Sequence, residues 1–192
     1  MTNTPPGPAE FSAPRHKTIG SLAGKFISDK PAAKEVQKLL KKIGAASLEE
    51  IAPWADAIKP TSRNLPSDKD TKDFLKKFPD TREWHFVDLP VDTQSYDTKV
   101  YKAFIREDDI VHTLVECINI LMGQSAKFSK PNALRWLVHL AGDLHQPLHI
   151  AYSYIDFSKK KPELVFKKDE ILSRNLLQKS DRGGNKINLP IG

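Results

Sequence analysis

Leu137-Val138-His139-Leu140-Ala141-Gly142-Asp143-Leu144-His145-Gln146-Pro147-Leu148-His149 puts three histidines and an aspartate within eleven residues. The stretch continues a helical pattern that opens near Ser129-Lys130-Pro131-Asn132 and runs through Leu134, Leu137, Val138, Ala141 and Leu144. Pro147 must bend or end that helix, because its ring clashes with the preceding turn. His139 and Asp143 are four apart, so they project from one face on consecutive turns. Imidazole nitrogen and carboxylate oxygen are zinc-type ligands, and this spacing lets both reach one ion. His145 and His149 repeat the spacing beyond the bend. The competing reading is an amphipathic helix with solvated histidines. It accommodates poorly a His139 inside the apolar stripe, or a Gly142 that lowers helix propensity. A residue that small would let another backbone approach closely.

Outward from this helix, the other periodic segments are helical too. Ile19, Leu22, Ala23, Phe26 and Ile27 fall on one face of a helix that begins near His16. Val36, Leu39, Leu40 and Ile43 mark a second helix over 33–43, stopped by Gly44. Ser47 and Glu50 form a capping box for the segment carrying Trp54 and Asp56, and Pro53 bends or restarts it. A long helix is predicted over 108–122 through Ile110, Leu114, Cys117, Ile118 and Leu121. Residues 60–82 are polar, with prolines at 60, 66 and 79, and predict a loop with one turn of helix near Phe74. Trp84-His85-Phe86-Val87-Asp88-Leu89-Pro90 reads as short and extended. No internal repeat is visible. The predicted fold class is all-α: a disordered leader at 1–10 with three prolines, then one helical domain over 11–192. Within that domain, 156–180 is expected to be an inserted, lysine-rich loop or loose helix.

Composition narrows the function classes. The chain has 192 residues with 30 Lys and Arg against 24 Asp and Glu, a net charge of +6. Apolar residues make up 39% and charged ones 28%, which suits a globular core and excludes collagen, coiled coil and low-hydrophobicity disorder. The surplus charge is spread out; it permits a polyanionic partner without specifying one. Cys117 stands alone, so neither a disulfide framework nor a multi-cysteine zinc ribbon is available. No apolar run reaches the ~18 residues of a membrane span. The start, MTNTPPGPAEF, shows neither a basic n-region nor an apolar h-region, so no secretory signal is read there.

Several short segments gain meaning from their order. Pro14-Arg15-His16-Lys17-Thr18-Ile19-Gly20, Trp54-Ala55-Asp56-Ala57-Ile58-Lys59, Trp84-His85-Phe86-Val87-Asp88, the 137–149 cluster and Asp181-Arg182-Gly183-Gly184-Asn185 follow one another along the chain. In that order they resemble the single-strand-specific, zinc-dependent type I nucleases (the mung-bean type), which share a fold with bacterial zinc phospholipase C. The resemblance covers about residues 11–155 and 181–192. It implies an all-helical bundle with a cleft for up to three zinc ions, and a single-stranded nucleic acid as substrate. A monomer is expected. The family is commonly secreted, periplasmic or vacuolar, which leaves localisation open for this chain.

The resemblance also implies roles. Asp56, His85 and His139 would form a first zinc site, with Asp143 bridging to a second that includes His16. That second site would draw on backbone atoms of an N-terminal residue, which aligns with Phe11; Ser12 and Arg15 stand where the family usually has glycines. A third site would keep His149, while its later histidine and aspartate lie beyond residue 192, so a C-terminal part of the family domain is expected to be missing. The stretch between His149 and Asp181 is longer than the family's usual. Asp56 would orient the attacking water, and Lys59 would stabilise the transition state; the plain alternative for Lys59 is a solvated helix-end lysine. Asp88 would read a base edge, Asn185 would position a phosphate or a loop, and His145 would orient a ligand by hydrogen bond. His112 receives no role. Three readings follow: an endonuclease giving 5′-phosphorylated products, another phosphoester hydrolase of the phospholipase C kind, or a helical zinc-binding remnant. Asp88 and Asn185 favour the first over the second. The absent distal ligands and the internal Phe11 favour the third.

Overall fold

The computed structural model describes residues 13–60, 62 and 65–179. Phe11, Asn185 and the 1–10 leader lie outside them. The described chain is mainly helical, as its periodicity predicts. Its helices are α1 (Ala13–Ile27), α2 (Ala32–Lys42), α3 (Leu48–Ile51), α4 (Trp54–Ala57), α5 (Lys69–Lys77), α6 (Ile110–Met122), α7 (Lys130–Asp143) and α8 (Lys168–Ser173). Four very short strands accompany them: β1 (Leu89–Pro90), β2 (Ala151–Tyr152), β3 (Tyr154–Asp156) and β4 (Glu163–Val165). No helix among the described residues is long and apolar enough to cross a membrane.

The middle of the fold is α7. Ser129 caps it by accepting from the Asn132 N–H at 3.3 Å, and Pro131 sits in the first turn, where its missing N–H costs nothing. Its sides pack against two cores. One is aromatic and joins Trp54, Phe74, Trp84, Phe128 and Trp136. The other is aliphatic and joins Leu40, Leu48 and Ile51 to Leu134 and Val138. Asp109 caps α6 by accepting from the Val111 and His112 N–H groups, and also accepts from the Tyr96 hydroxyl at 2.9 Å. His112 Nδ1 lies 3.1 Å from the same carboxylate, so it belongs to a capping cluster. Ser47 caps α3 by accepting from Glu50 N–H, and Glu50 reaches back to the Ala46 N–H, one residue earlier than in an ideal capping box.

Three departures from the sequence reading have physical causes. On α1 only part of the expected face packs: Ala23 and Ile27 meet the aliphatic core, but Leu22 and Phe26 are 52% and 70% exposed, while His16 and Gly20 are buried. The helix turns this way because Gly20 meets α3 backbone to backbone; a Cβ there would stand 2.5 Å from the Leu48 carbonyl oxygen. The expected single turn near Phe74 is the nine-residue α5, capped by Asp68. The lysine-rich 156–180 stretch is not a loose loop: β3 and β4 pair antiparallel, with Tyr154 opposite Val165, and α8 packs Ile171 into the core.

Candidate metal centre

Four stretches of chain converge at the C-terminal end of α7. His139 lies on that helix and is fully buried. Its Nδ1 is 2.8 Å from the Ala52 carbonyl oxygen, which can only accept, so Nδ1 carries the proton and Nε2 presents a lone pair to the cluster. Ala52 is available at the α3–α4 junction just before Pro53. One turn on from His139, buried Asp143 divides its two oxygens between neighbours. Oδ2 stands 2.9 Å from His85 Nδ1 and 3.1 Å from His139 Nε2. Oδ1 stands 3.4 Å from His16 Nε2 and 3.9 Å from His149 Nε2. This two-sided placement is what a bridging carboxylate needs.

His85 arrives on a 3₁₀ turn, Arg82–His85, rather than on the extended segment expected; only Phe86 onward is extended. Its Nδ1 is 3.1 Å from His139 Nε2, and its buried Nε2 has no hydrogen-bond partner among the described residues. Asp56 comes from the single-turn α4. Its Oδ1 lies 3.6 Å from His139 Nε2 and 4.0 Å from His85 Nδ1, and its Oδ2 lies 3.6 Å from His16 Nε2. Lys59, one turn later, pairs with Asp56 at 2.6 Å. His16 comes from α1 and stacks flat on His139, ring centroids 3.8 Å apart. Gly142 makes this possible: a Cβ there would come within 2.9 Å of His16 Nδ1. The close approach that Gly142 permits is therefore by a side chain rather than a backbone.

Asp56, His85, His139, Asp143 and His16 are thus together, with Lys59 at the edge and His149 within reach of Asp143. The other candidates stand apart. His145 is exposed, with Nδ1 2.7 Å from the Ala141 carbonyl oxygen one turn back. Asp88 is half-buried on the strand-like segment after His85, and its carbonyl accepts from the Tyr154 hydroxyl at 2.7 Å. Reading the sequence missed the Ala52 carbonyl, because a backbone atom has no residue-type signal. It also missed Arg135, Thr71 and Asp68, which join α7 to α5 behind Trp54.

The electrostatics suit a cation. Burial pushes the His16 and His85 imidazoles down to about 4, and lowers His149 as well, so these rings are neutral at pH 7. Burial alone would raise the two carboxyls. In Asp143 the hydrogen bond from His85, with His139 beside it, outweighs burial and holds the group well below the usual range. In Asp56 the neighbouring His139 and Lys59 do the same. Two carboxylates beside one lysine, with imidazole nitrogens among them, leave a buried site with surplus negative charge, which is the donor set of a divalent metal ion. Two overlapping groups offer alternative sets for an ion, sharing His139: Asp56, His85 and His139, or His16, His139 and Asp143.

Comparison with known proteins agrees with this geometry. The sequence model of one family, described as S1/P1 Nuclease, matches residues 11–192. The chain belongs to the S1/P1 nuclease family. Within the S1/P1 nucleases, it is similar to Nuclease S1 of Aspergillus oryzae, with 27% identity over 135 residues. That alignment covers 70% of this chain and 42% of the fungal protein, so the chain spans about two fifths of the length of that relative. No solved structure matches.

Proposed function

We propose that this S1/P1 nuclease family member is a zinc-dependent endonuclease that hydrolyses single-stranded nucleic acid to 5′-phosphorylated products. The division of Asp143 between His85 and His139 on one oxygen and His16 and His149 on the other carries the reading. Ligand atoms about 2.0–2.1 Å from a tetrahedral zinc lie about 3.3 Å apart. The separations measured among Asp56, His85, His139 and Asp143 run from 2.9 to 4.0 Å, so the residues fit a first zinc. His16 and the other Asp143 oxygen would hold a second, with Phe11 assigned to complete it, and His149 would contribute to a third.

Bound zinc supplies a water acidified to a pKa of about 7 and Lewis-acid stabilisation of phosphoryl oxygens. The chain's own groups do the rest. Asp56, 29% exposed on its side chain, accepts a hydrogen bond from the attacking water and turns its lone pair toward phosphorus. Lys59 brings a cation beside that carboxylate, where negative charge gathers as the oxygen attacks and the P–O3′ bond breaks. Asp88 would hold the edge of a base, which only an unpaired strand can offer. Asn185 would position a phosphate, and His145 would hold the end of α7 through Ala141.

The test is metal analysis of the purified full chain together with hydrolysis of single-stranded DNA and of a phospholipid. Bound zinc, strand cleavage and an inert lipid are expected. His139→Ala is expected to lose most of the metal and all cleavage. A His139→Ala protein with unchanged zinc content would remove the ligand assignment, and lipid cleavage without strand cleavage would replace the nuclease by a phospholipase.

A further inference from the structure

Residues 154–179 carry a basic, aromatic surface that the metal cluster leaves unused. Antiparallel pairing puts Asp156 opposite Glu163, and the turn between them holds Phe157, Lys159, Lys160 and Lys161, all exposed. Phe166 and Lys167 follow β4 and are exposed too. Seven cations and four acids fall within 156–179, which accounts for three of the six surplus positive charges of the chain. The acids are neutralised locally. Arg174 contacts Asp156, Glu163 and Glu170 at 3.1–3.2 Å, Lys159 pairs with Glu163, and Lys168 faces Asp169. Lys160, Lys161, Lys167 and Lys179 have no acidic side chain within ion-pair distance among the described residues.

This surface is firmly seated. Tyr154, Val165, Ile171 and Leu176 are buried in the aromatic core beneath it. It is also joined to the metal centre. β2 pairs with β1 next to His85, Tyr152 stacks on Phe86 at 5.8 Å, and the Tyr154 hydroxyl donates to the Asp88 carbonyl. Phe157 is 55% exposed, and the Lys179 ammonium stands 5.7 Å from its ring centre. The Phe157 ring is open to solvent with a cation at its face, and the neighbouring ammonium groups have no acidic partner among the described residues. A single strand supplies both complements, phosphates for the lysines and the face of an unpaired base for the ring.

We infer that the β3–β4 hairpin is a docking surface for single-stranded nucleic acid running on from the metal cluster, with Phe157 as a stacking platform and Lys160, Lys161 and Lys179 as phosphate contacts. The inference rests on the nuclease reading, since the strand cut at the cluster is the one the hairpin holds.

The test measures binding of the full chain, metal included, to phosphorothioate oligothymidylates, which keep the backbone charge and resist hydrolysis. Lengths of about 4 and about 16 nucleotides span the range held by small single-strand binding folds. The double variant Lys160→Glu with Lys161→Glu is expected to bind the long strand about tenfold more weakly, with a salt slope shallower by about 1.4. Phe157→Ala is expected to lose about fivefold or more. Both variants should keep the parent's thermal midpoint and its affinity for the short strand. Long-strand affinities within twofold of the parent overturn the inference, and a parent that still cleaves DNA would leave the nuclease reading standing. A parent that binds through the hairpin yet cleaves nothing supports the inference and sinks the nuclease reading. Lysine-dependent binding to phosphatidylserine vesicles with no strand binding overturns it in favour of a membrane surface.

Discussion

A buried carboxylate with imidazoles against both oxygens cannot swing to serve one partner, and Asp143 is in that position: Oδ2 accepts from His85 and lies beside His139, while Oδ1 faces His16. The residue before it decides whether His16 can take part. A methyl group on Gly142 would stand 2.9 Å from both His16 Nδ1 and Ile19 Cδ1. Ile19 can rotate away, but His16 is fully buried and lies flat against His139, so it has nowhere to retreat. Overpacking of this kind costs about 1–3 kcal/mol. Gly142→Ala is therefore expected to lower the thermal midpoint and to release the metal held on the His16 side, while the ion among Asp56, His85 and His139 stays. Calorimetry with metal analysis checks both, and a fully loaded, equally stable variant would show that His16 does not need this approach.

The second layer of the site is an element-scale matter, because short α4 cannot hold Asp56 by itself. Trp54, at the start of α4, donates its indole N–H to the Thr71 hydroxyl at 2.9 Å, and that hydroxyl donates to Asp68 at 2.6 Å. Arg135 on α7 donates to Thr71 and Asn132, and its guanidinium lies 4.9 Å from the Trp54 ring centre. Burial would raise the Asp68 carboxyl, but the Thr71 hydrogen bonds and the Arg135 charge outweigh it and lower the group below its ordinary 3.8. A carboxyl that is more acidic folded than unfolded stabilises the fold at pH values above 3.8, and the contribution disappears as the pH falls through the lower folded value. Asp68→Asn should accordingly be less stable than the parent at pH 7 and lose less on going from pH 5 to pH 2; parallel acid-unfolding curves would count against this role. None of the network was legible beforehand, since an arginine on a helix reads as a solvated face and only tertiary contact buries it. By contrast α7 was legible, because one sequence carries its cap, its apolar stripe and its histidine spacing together. The α1 face was half legible: Ala23 and Ile27 pack as periodicity counts them, whereas Leu22 and Phe26 are exposed and a glycine and a histidine are buried in their stead. The β3–β4 hairpin escaped notice because each strand is three residues long, too short for alternation to register.

Across the whole molecule, the candidate metal centre draws together residues that are far apart in the chain. His16, Asp56, His85 and His139 bring α1, α4, the 3₁₀ turn and α7 to one point, and no disulfide is available to do so with Cys117 alone. Binding of an ion to such a preassembled set adds directly to folding stability, about 2.7 kcal/mol when the free ion is a hundredfold above its dissociation constant. The gain is unevenly shared. α7 is packed between two cores and keeps its contacts without a metal, whereas α1 buries only His16 and Gly20 completely. Without an ion, three imidazoles and two carboxylates would stand crowded together, and α1 fully buries two residues where α7 buries eleven. Chelation is expected to lower the thermal midpoint reversibly and to speed amide exchange over residues 13–27 well before the 130–143 helix loosens. Equal loss of protection in both helices would mean that the fold melts as one unit, and an unchanged midpoint would mean that the cluster holds itself together through its own hydrogen bonds.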